Sequence, residues 1–248
     1  MPDIIKTKGF ILKTAPFKES SLFITLLTND CGKIKVLAKG ARRPKSKFCG
    51  TMEIFNLDEI IFYKKETKEV YTLSDASVIE DFKTLRLSPR KVNAGMVLCE
   101  FFEKTLPPEE YSRSAFRLLF GFLKDLQRAS VSRIKPLTIC YLIKALPESG
   151  VRPHLTDCVR CSKKVVYDDK KIDFSIAAGG VVCEKDYDDT VIFLKKETIN
   201  LLDGILSGKR IDIEDTAFLE LERIIPDYLS YHLNNLVLNS LRHLEQNR

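Results

Sequence analysis

The sequence predicts a mixed α+β chain of several domains, and three observations predict it. Residues 1–80 carry runs of strand-forming, partly alternating apolar residues. Residues 81–150 and 191–248 repeat apolar side chains at helical spacing. Residues 151–190 are short and polar and hold three of the seven cysteines. With 248 residues, 44% of them hydrophobic, the chain can bury a real core and has length for one large domain or two to three small ones.

The elements follow in order. Ile4–Leu12 and Ser21–Thr28 are rich in Ile, Leu, Phe and Thr and read as strands. Asn29-Asp30-Cys31-Gly32 supplies turn residues, and Lys33–Lys39 continues as a third strand. In it Ile34, Val36 and Ala38 share one face, and Lys33, Lys35 and Lys39 share the other with Leu37 between them. Met52–Tyr63 and Glu69–Val78 read as two more strands joined at Lys64–Lys68. Five short strands in about 75 residues fit a small closed barrel of the OB-fold type. Ser88-Pro89 marks a helix start. Val92, Met96, Leu98, Cys99 and Phe102 then recur at helical spacing, as do Phe116, Leu119, Phe120 and Leu123, and later Leu137, Tyr141, Leu142 and Ala145. Pro107-Pro108 separates the first two helices, and Gly150 with Pro153 ends the third. Thr198–Leu206 and Asp215–Leu244 are apolar on one side, the latter with a bend expected at Pro226. The expected division is a barrel at 1–80, a helical domain at 81–150 and 191–248, and a small cysteine module at 151–190 inserted in it.

Net charge is +6 and the isoelectric point is about 8.8, which suits a polyanionic partner. The charge is uneven. Residues 33–47 hold seven basic residues (Lys33, Lys35, Lys39, Arg42, Arg43, Lys45, Lys47) and no acidic one. Such a run repels itself unless salt or a partner offsets it. A lysine-bearing strand that runs into an arginine-lysine loop suits a phosphate backbone gripped without reading its sequence. Lysine supplies point charge, and Arg42 and Arg43 can fork onto phosphate or stack on a base. Phe48, just after the run, is a candidate stacking ring or a core residue.

Cys158 and Cys161 are spaced as a zinc knuckle, and Cys183 follows. A structural tetrahedral zinc takes four ligands from two knuckles. In the second, Asp186 stands where a fourth cysteine is expected, and His154 is the alternative fourth ligand. A knuckle that folds without metal, its cysteines small buried groups, is the competing reading. Residues 157–189 hold six basic against eight acidic residues, so this module reads as architectural and not as the main nucleic-acid surface.

Enzyme signatures are missing: there is no GxxxxGK[ST], HExxH or GxSxG. Asp168-Asp169 and Asp188-Asp189 read as solvated loops. His232 and His243, eleven apart, read as ordinary surface or interface residues. Cys99 and Cys140 fall among helical apolar residues and read as core. The first ten residues lack the layout of a signal peptide, and no apolar run reaches the roughly 18 residues of a membrane span. A reducing cytoplasm is expected, with thiols or a metal site in place of disulfides.

The order of parts resembles the RecO family of bacterial recombination mediators. The resemblance rests on KGFILKTAPFKESSLFITLLTNDCGKIKVLAKGARRPKSKF near the N-terminus, on Leu155-x2-Cys158-x2-Cys161, and on Phe174-Ser175 followed by Gly179-Gly180-Val181-Val182-Cys183. Asp186 departs from that family's four-cysteine form. The resemblance implies an OB-fold that binds single- and double-stranded DNA and anneals complementary strands without ATP. It also implies partnership with RecR and with the C-terminal tail of single-stranded DNA-binding protein, in loading recombinase onto coated DNA at the nucleoid. A protein-interaction scaffold and an RNA-binding OB protein are the alternatives left by the residues themselves.

Overall fold

A computed structural model describes residues 2–65, 67–165, 171–183, 188–209 and 215–246. The architecture is mixed α+β, and the chain divides into two compact units: residues 1–134 with 239–248, and residues 135–238.

The first unit is built on five strands: β1 (Asp3–Phe17), β2 (Ser21–Thr28), β3 (Lys33–Ala38), β4 (Leu57–Lys64) and β5 (Val70–Glu80). They close into a barrel in the order β1-β2-β3-β5-β4. Closure depends on the length of β1. Its first half pairs with β4, from Asp3 opposite Lys64 to Phe10 opposite Leu57, and its second half pairs with β2. A bulge between Ile11 and Lys13 lies just beyond the last β4 pair, and bulges are where strands bend. The ladder between β3 and β5 is parallel. The inward residues make one core: Ile11, Ile24, Leu26, Ile34, Val36, Ala38, Ile60, Phe62, Tyr71 and Leu73, with Phe48 and Met52 joining it.

Residues 52–56 correct the strand expected over Met52–Tyr63. Met52 and Phe55 have φ of 58° and 73°, a left-handed conformation that no strand continues through. Asn56 N–H closes a turn on Glu53 O, and pairing starts only at Leu57. Phe55 is fully buried. A Cβ placed on Gly95 would come within 2.7 Å of its ring, so glycine is what lets that ring lie against the helix.

After the short α1 (Lys83–Arg86) come α2 (Pro89–Thr105) and α3 (Arg113–Arg128). Ser88 caps α2 by accepting from Lys91 N–H, and Ser112 caps α3 by accepting from Ala115 N–H. A second core joins barrel to helices through rings: Phe10 of β1 lies 5.1 Å from Phe116, 6.1 Å from Phe120 and 6.3 Å from Phe82. The last helix, α7 (Asn239–Gln246), returns to this unit. Glu100 of α2 accepts from Asn239 N–H at 3.0 Å, Ser240 N–H at 2.9 Å and the Ser240 hydroxyl, so a neighbouring helix supplies the cap of α7.

The second unit takes α4 (Val131–Ala145) from Lys135 onward, α5 (Lys196–Leu206) and α6 (Asp215–His232), with a three-stranded sheet of order β7-β6-β8. Its strands are β6 (Ile172–Ser175), β7 (Gly180–Val181) and β8 (Val191–Leu194). Lys135 pairs with Glu222, and the Thr198 hydroxyl donates to Glu220 at 2.6 Å. The single helix expected over Asp215–Leu244 is two helices. Pro226 sits inside α6 without ending it. The break falls where Asn234 and Asn235 take φ of 49° and 57°, the left-handed region that asparagine tolerates best after glycine. No helix among the described residues is long and apolar enough to cross a membrane.

Candidate nucleic-acid interface and cysteine cluster

β3 carries the phase read from the sequence. Ile34, Val36 and Ala38 face the barrel core, and Lys35 and Lys39 are exposed on the outside. Lys33 differs from the other six basic residues. It is half-buried, and its ammonium donates to the carbonyl of Glu103 on α2. Its own carbonyl accepts from Glu109 N–H at 2.9 Å. Burial lowers the Lys33 pKa, with the Glu103 charge opposing that shift. Lys33 therefore ties the strand to the helices.

A cleft of about 420 Å³ opens beside it, lined by Lys33, Lys35, Glu69, Glu103 and Glu109 among others. Its three carboxylates more than offset its two ammonium groups. Glu109 is further engaged: hydrogen bonds from Lys64 and Tyr71 hold its pKa low. The uncompensated positive charge therefore lies toward the other end of β3, at Lys39 and the segment that follows.

That segment is the arginine-lysine loop read from the sequence. It is a chain of hydrogen-bonded turns: Arg43 N–H to Gly40 O, Ser46 N–H to Arg43 O, Cys49 N–H to Ser46 O and Thr51 N–H to Phe48 O, at 3.0–3.1 Å. Gly40, at φ 70°, makes the first of them. Arg42 N–H donates to Ser20 O at 2.9 Å and fastens the start to the β1–β2 turn. Phe48 and Met52, each 4% exposed, plug the barrel core and fasten the far end. Phe48 is thus a core residue and is withdrawn as a stacking ring. Arg42, Arg43, Lys45 and Lys47 are exposed, and Lys47 also donates to Ser74 O.

Asp58 supports this arrangement from inside. Met52 N–H donates to its Oδ2 at 3.0 Å, while its Oδ1 has no partner. Burial is the main cause that pushes its pKa up to about 6; the Met52 bond and Arg86 oppose the shift and Glu53 adds to it.

Sequence reasoning missed an aromatic pair on the same outer face. Phe17, at the end of β1, and Phe23, on β2, have ring centroids 4.3 Å apart and are both partly exposed. Lys35 lies 5.0 Å from the Phe23 centroid and Lys18 lies 5.4 Å from that of Phe17. The signal available was the outward phase of Phe23, opposite Leu37 of the lysine strand.

In the second unit the sulfurs of Cys158, Cys161 and Cys183 lie within 4.8 Å of one another, with Cys161 and Cys183 at 3.6 Å. The backbone makes this geometry. Ser162 N–H donates to Cys158 O and Cys158 N–H to Lys163 O, both at 2.8 Å, which folds the CxxC segment into a tight turn. Val159 N–H donates to Val181 O at 3.0 Å, so the turn hangs on β7 and meets Cys183 just beyond it. A tetrahedral zinc with Zn–S bonds of about 2.3 Å sets sulfurs about 3.8 Å apart, so the three cysteines fit three corners of such a site. Asp186 lies outside the described residues. His154 is turned to Asp157 and Thr156, its Nε2 engaged with both. Arg160, within the CxxC segment, pairs with Asp188. Asp188 also accepts from Ser175 and Thr190 and is held at low pKa by them, so this aspartate clamps the module and does not merely face solvent. Asp168 and Asp169 lie outside the described residues.

Comparison with known proteins gives these sites a lineage. Residues 1–82 match the family model described as Recombination protein O N terminal, and residues 86–242 match Recombination protein O C terminal. The junction between the two falls at α1, just past the barrel. Proteins named DNA repair protein RecO are similar along most of the chain. That of Alkaliphilus metalliredigens is 25% identical, covering 96% of this chain and 97% of the relative. That of Caldicellulosiruptor saccharolyticus is 31% identical over 94% and 88%, and that of Caldicellulosiruptor bescii is 34% identical over 79% and 78%. The chain belongs to the RecO family.

Proposed function

We propose that this protein is a non-catalytic DNA-binding mediator of recombinational repair, and that its barrel is an OB-fold that grips DNA by the phosphate backbone. The strand order, with β3 and β5 the parallel pair, supports the fold reading. The observation that carries the function is the uncompensated basic surface from Lys39 through Arg42, Arg43, Lys45 and Lys47, with exposed Lys35 beside it, on a chain of the RecO family. Lys33 supports that surface from the strand's anchored end. Annealing of complementary strands needs no chemistry: neutralised phosphates let two strands approach, and base pairing drives the rest. Relatives named as DNA repair proteins favour DNA over the scaffold and RNA readings.

Cys158, Cys161 and Cys183 would hold a structural zinc, with Asp186 as the fourth ligand. Zinc there would fix the short module, whose strands are only two to four residues long. RecR and the tail of single-stranded DNA-binding protein are carried over as partners from the family resemblance, in a cytoplasmic, nucleoid-associated setting.

The test is charge reversal of Arg42, Arg43, Lys45 and Lys47 to Glu. If four to six phosphates are neutralised, log K for single strands falls with log salt at a slope of roughly −3 to −4. The reversed variant is expected to lose binding while its circular dichroism stays unchanged, since the four side chains lie outside the core. Unchanged affinity would place the site elsewhere.

A further inference from the structure

We infer that Phe17 and Phe23 form a stacking platform for unpaired nucleobases on the basic face of the barrel, a contact that single strands can make and duplex cannot. This rests on the reading of that face as the DNA-binding surface. The rings stand outside the barrel. Ile24 and Leu26 fill the interior from β2, whereas Phe23 alternates to the other side with Thr25. On that face Ala15 lies opposite Phe23 and Ser21 opposite Phe17 along β1 and β2, while Leu37 of β3 flanks Phe23 on its other side. Both rings keep part of their surface open.

Two ammonium groups flank the pair, Lys35 near Phe23 and Lys18 near Phe17. Arg42 is fastened at Ser20 in the same β1–β2 turn. A base stacked on a ring here would have its phosphates within reach of cations on both sides. Every base has a π-face, so such a platform is tolerant of sequence. Duplex DNA keeps its bases stacked inside and offers the rings nothing, so only its phosphates would be held. A core role for the rings does not account for two partly exposed phenylalanines beside cations at a hairpin end.

The experiment compares Phe17→Ala, Phe23→Ala and Phe23→Leu with the parent chain on single strands and on duplex of equal length. A third measurement follows the fluorescence of a single strand that carries 2-aminopurine. Loss of one stacked base is expected to weaken single-strand binding about 5- to 100-fold. Duplex affinity should stay within about twofold, and the salt slope should not change. The 2-aminopurine signal should respond to the parent chain and respond less to the variants. Phe23→Leu keeps apolar bulk and removes only the π-face, so it reports on stacking even if an alanine variant unfolds. Equal losses on both DNAs, no loss on single strands, or an unchanged 2-aminopurine response would overturn the platform. If the Arg42/Arg43/Lys45/Lys47 reversal abolishes binding while the phenylalanine variants bind normally, the platform alone fails. If that reversal leaves binding intact, the DNA face itself fails.

Discussion

Replacing Asp58 by Asn should change how the stability of the first unit depends on pH. Asp58 is fully buried, satisfied at one oxygen by Met52 N–H and unpartnered at the other. Its pKa stands at about 6 against an ordinary 3.8. The folded state therefore holds the proton more tightly than the unfolded chain. That contribution is complete below about pH 4 and is lost as pH rises through 6; above that, folding must bury a carboxylate. Two pKa units correspond to about 3 kcal/mol, and partial ionisation of the unfolded chain at pH 4 leaves about 2 kcal/mol between pH 4 and pH 8. An asparagine can still accept from Met52 N–H, and it carries no charge at any pH. Its buried amide adds a cost of its own, but that cost is the same at both pH values and cancels. The assay is denaturant unfolding of both proteins at pH 4 and pH 8, followed by circular dichroism. The variant is expected to gain about 2 kcal/mol relative to the parent on going from pH 4 to pH 8. Parallel pH profiles would refute the assignment of a destabilising buried charge at this position.

The other predictions are simpler. Glu100→Gln should weaken the cap of α7. Burial alone would raise the Glu100 pKa, but bonds from Lys104, Ser240 and Asn239 outweigh it and leave about 2, so the carboxylate's contribution is present above about pH 4.5 and fades as pH falls toward 2. Loss of charged hydrogen bonds costs about 1–3 kcal/mol, and limited proteolysis should cut the variant first near residue 238. Gly95→Ala should drive a methyl group into the Phe55 ring and cost about 1–3 kcal/mol, read as a melting temperature lowered by several degrees. Elemental analysis of protein purified without chelator should find zinc near one equivalent, falling to near zero in Cys161→Ser. If Asp186→Ala keeps its metal, the fourth ligand is another group.

What was legible in the sequence was what strict periodicity encodes. Residues 33–38 alternate cleanly, so the buried set Ile34, Val36 and Ala38 follows from the pattern alone. The N-cap at Ser88 is equally local, because hydroxyl and amide are three residues apart. The CxxC spacing likewise foretold that Cys158, Cys161 and Cys183 come together. Some of the misreadings were decided by distant partners and others by local backbone geometry. Lys33 looks like Lys35 in the pattern, and only Glu103, seventy residues on, separates them. Phe48 reads as a ring in a basic loop until the barrel end it plugs is known. Met52–Asn56 is apolar enough for a strand, but two left-handed residues break it. Asn234-Asn235 is the local signal that ends α6, whereas the helix accommodates Pro226. The Phe17–Phe23 pair joins two strands across a hairpin, a contact that no single-strand pattern announces.

The linked turns between Gly40 and Thr51 carry a kinetic consequence. If this face is the proposed DNA-binding surface, a segment already fixed by its own hydrogen bonds and plugged at one end has little freedom left to lose when a strand lands on it. Contact then needs no folding step, so capture can approach the rate set by diffusion and electrostatic steering. Holding depends mainly on counterions, and salt or a competing strand can reverse it quickly. A surface of this kind suits hand-over: it keeps many brief contacts available at once, and the strand that finds its complement is the one that stays.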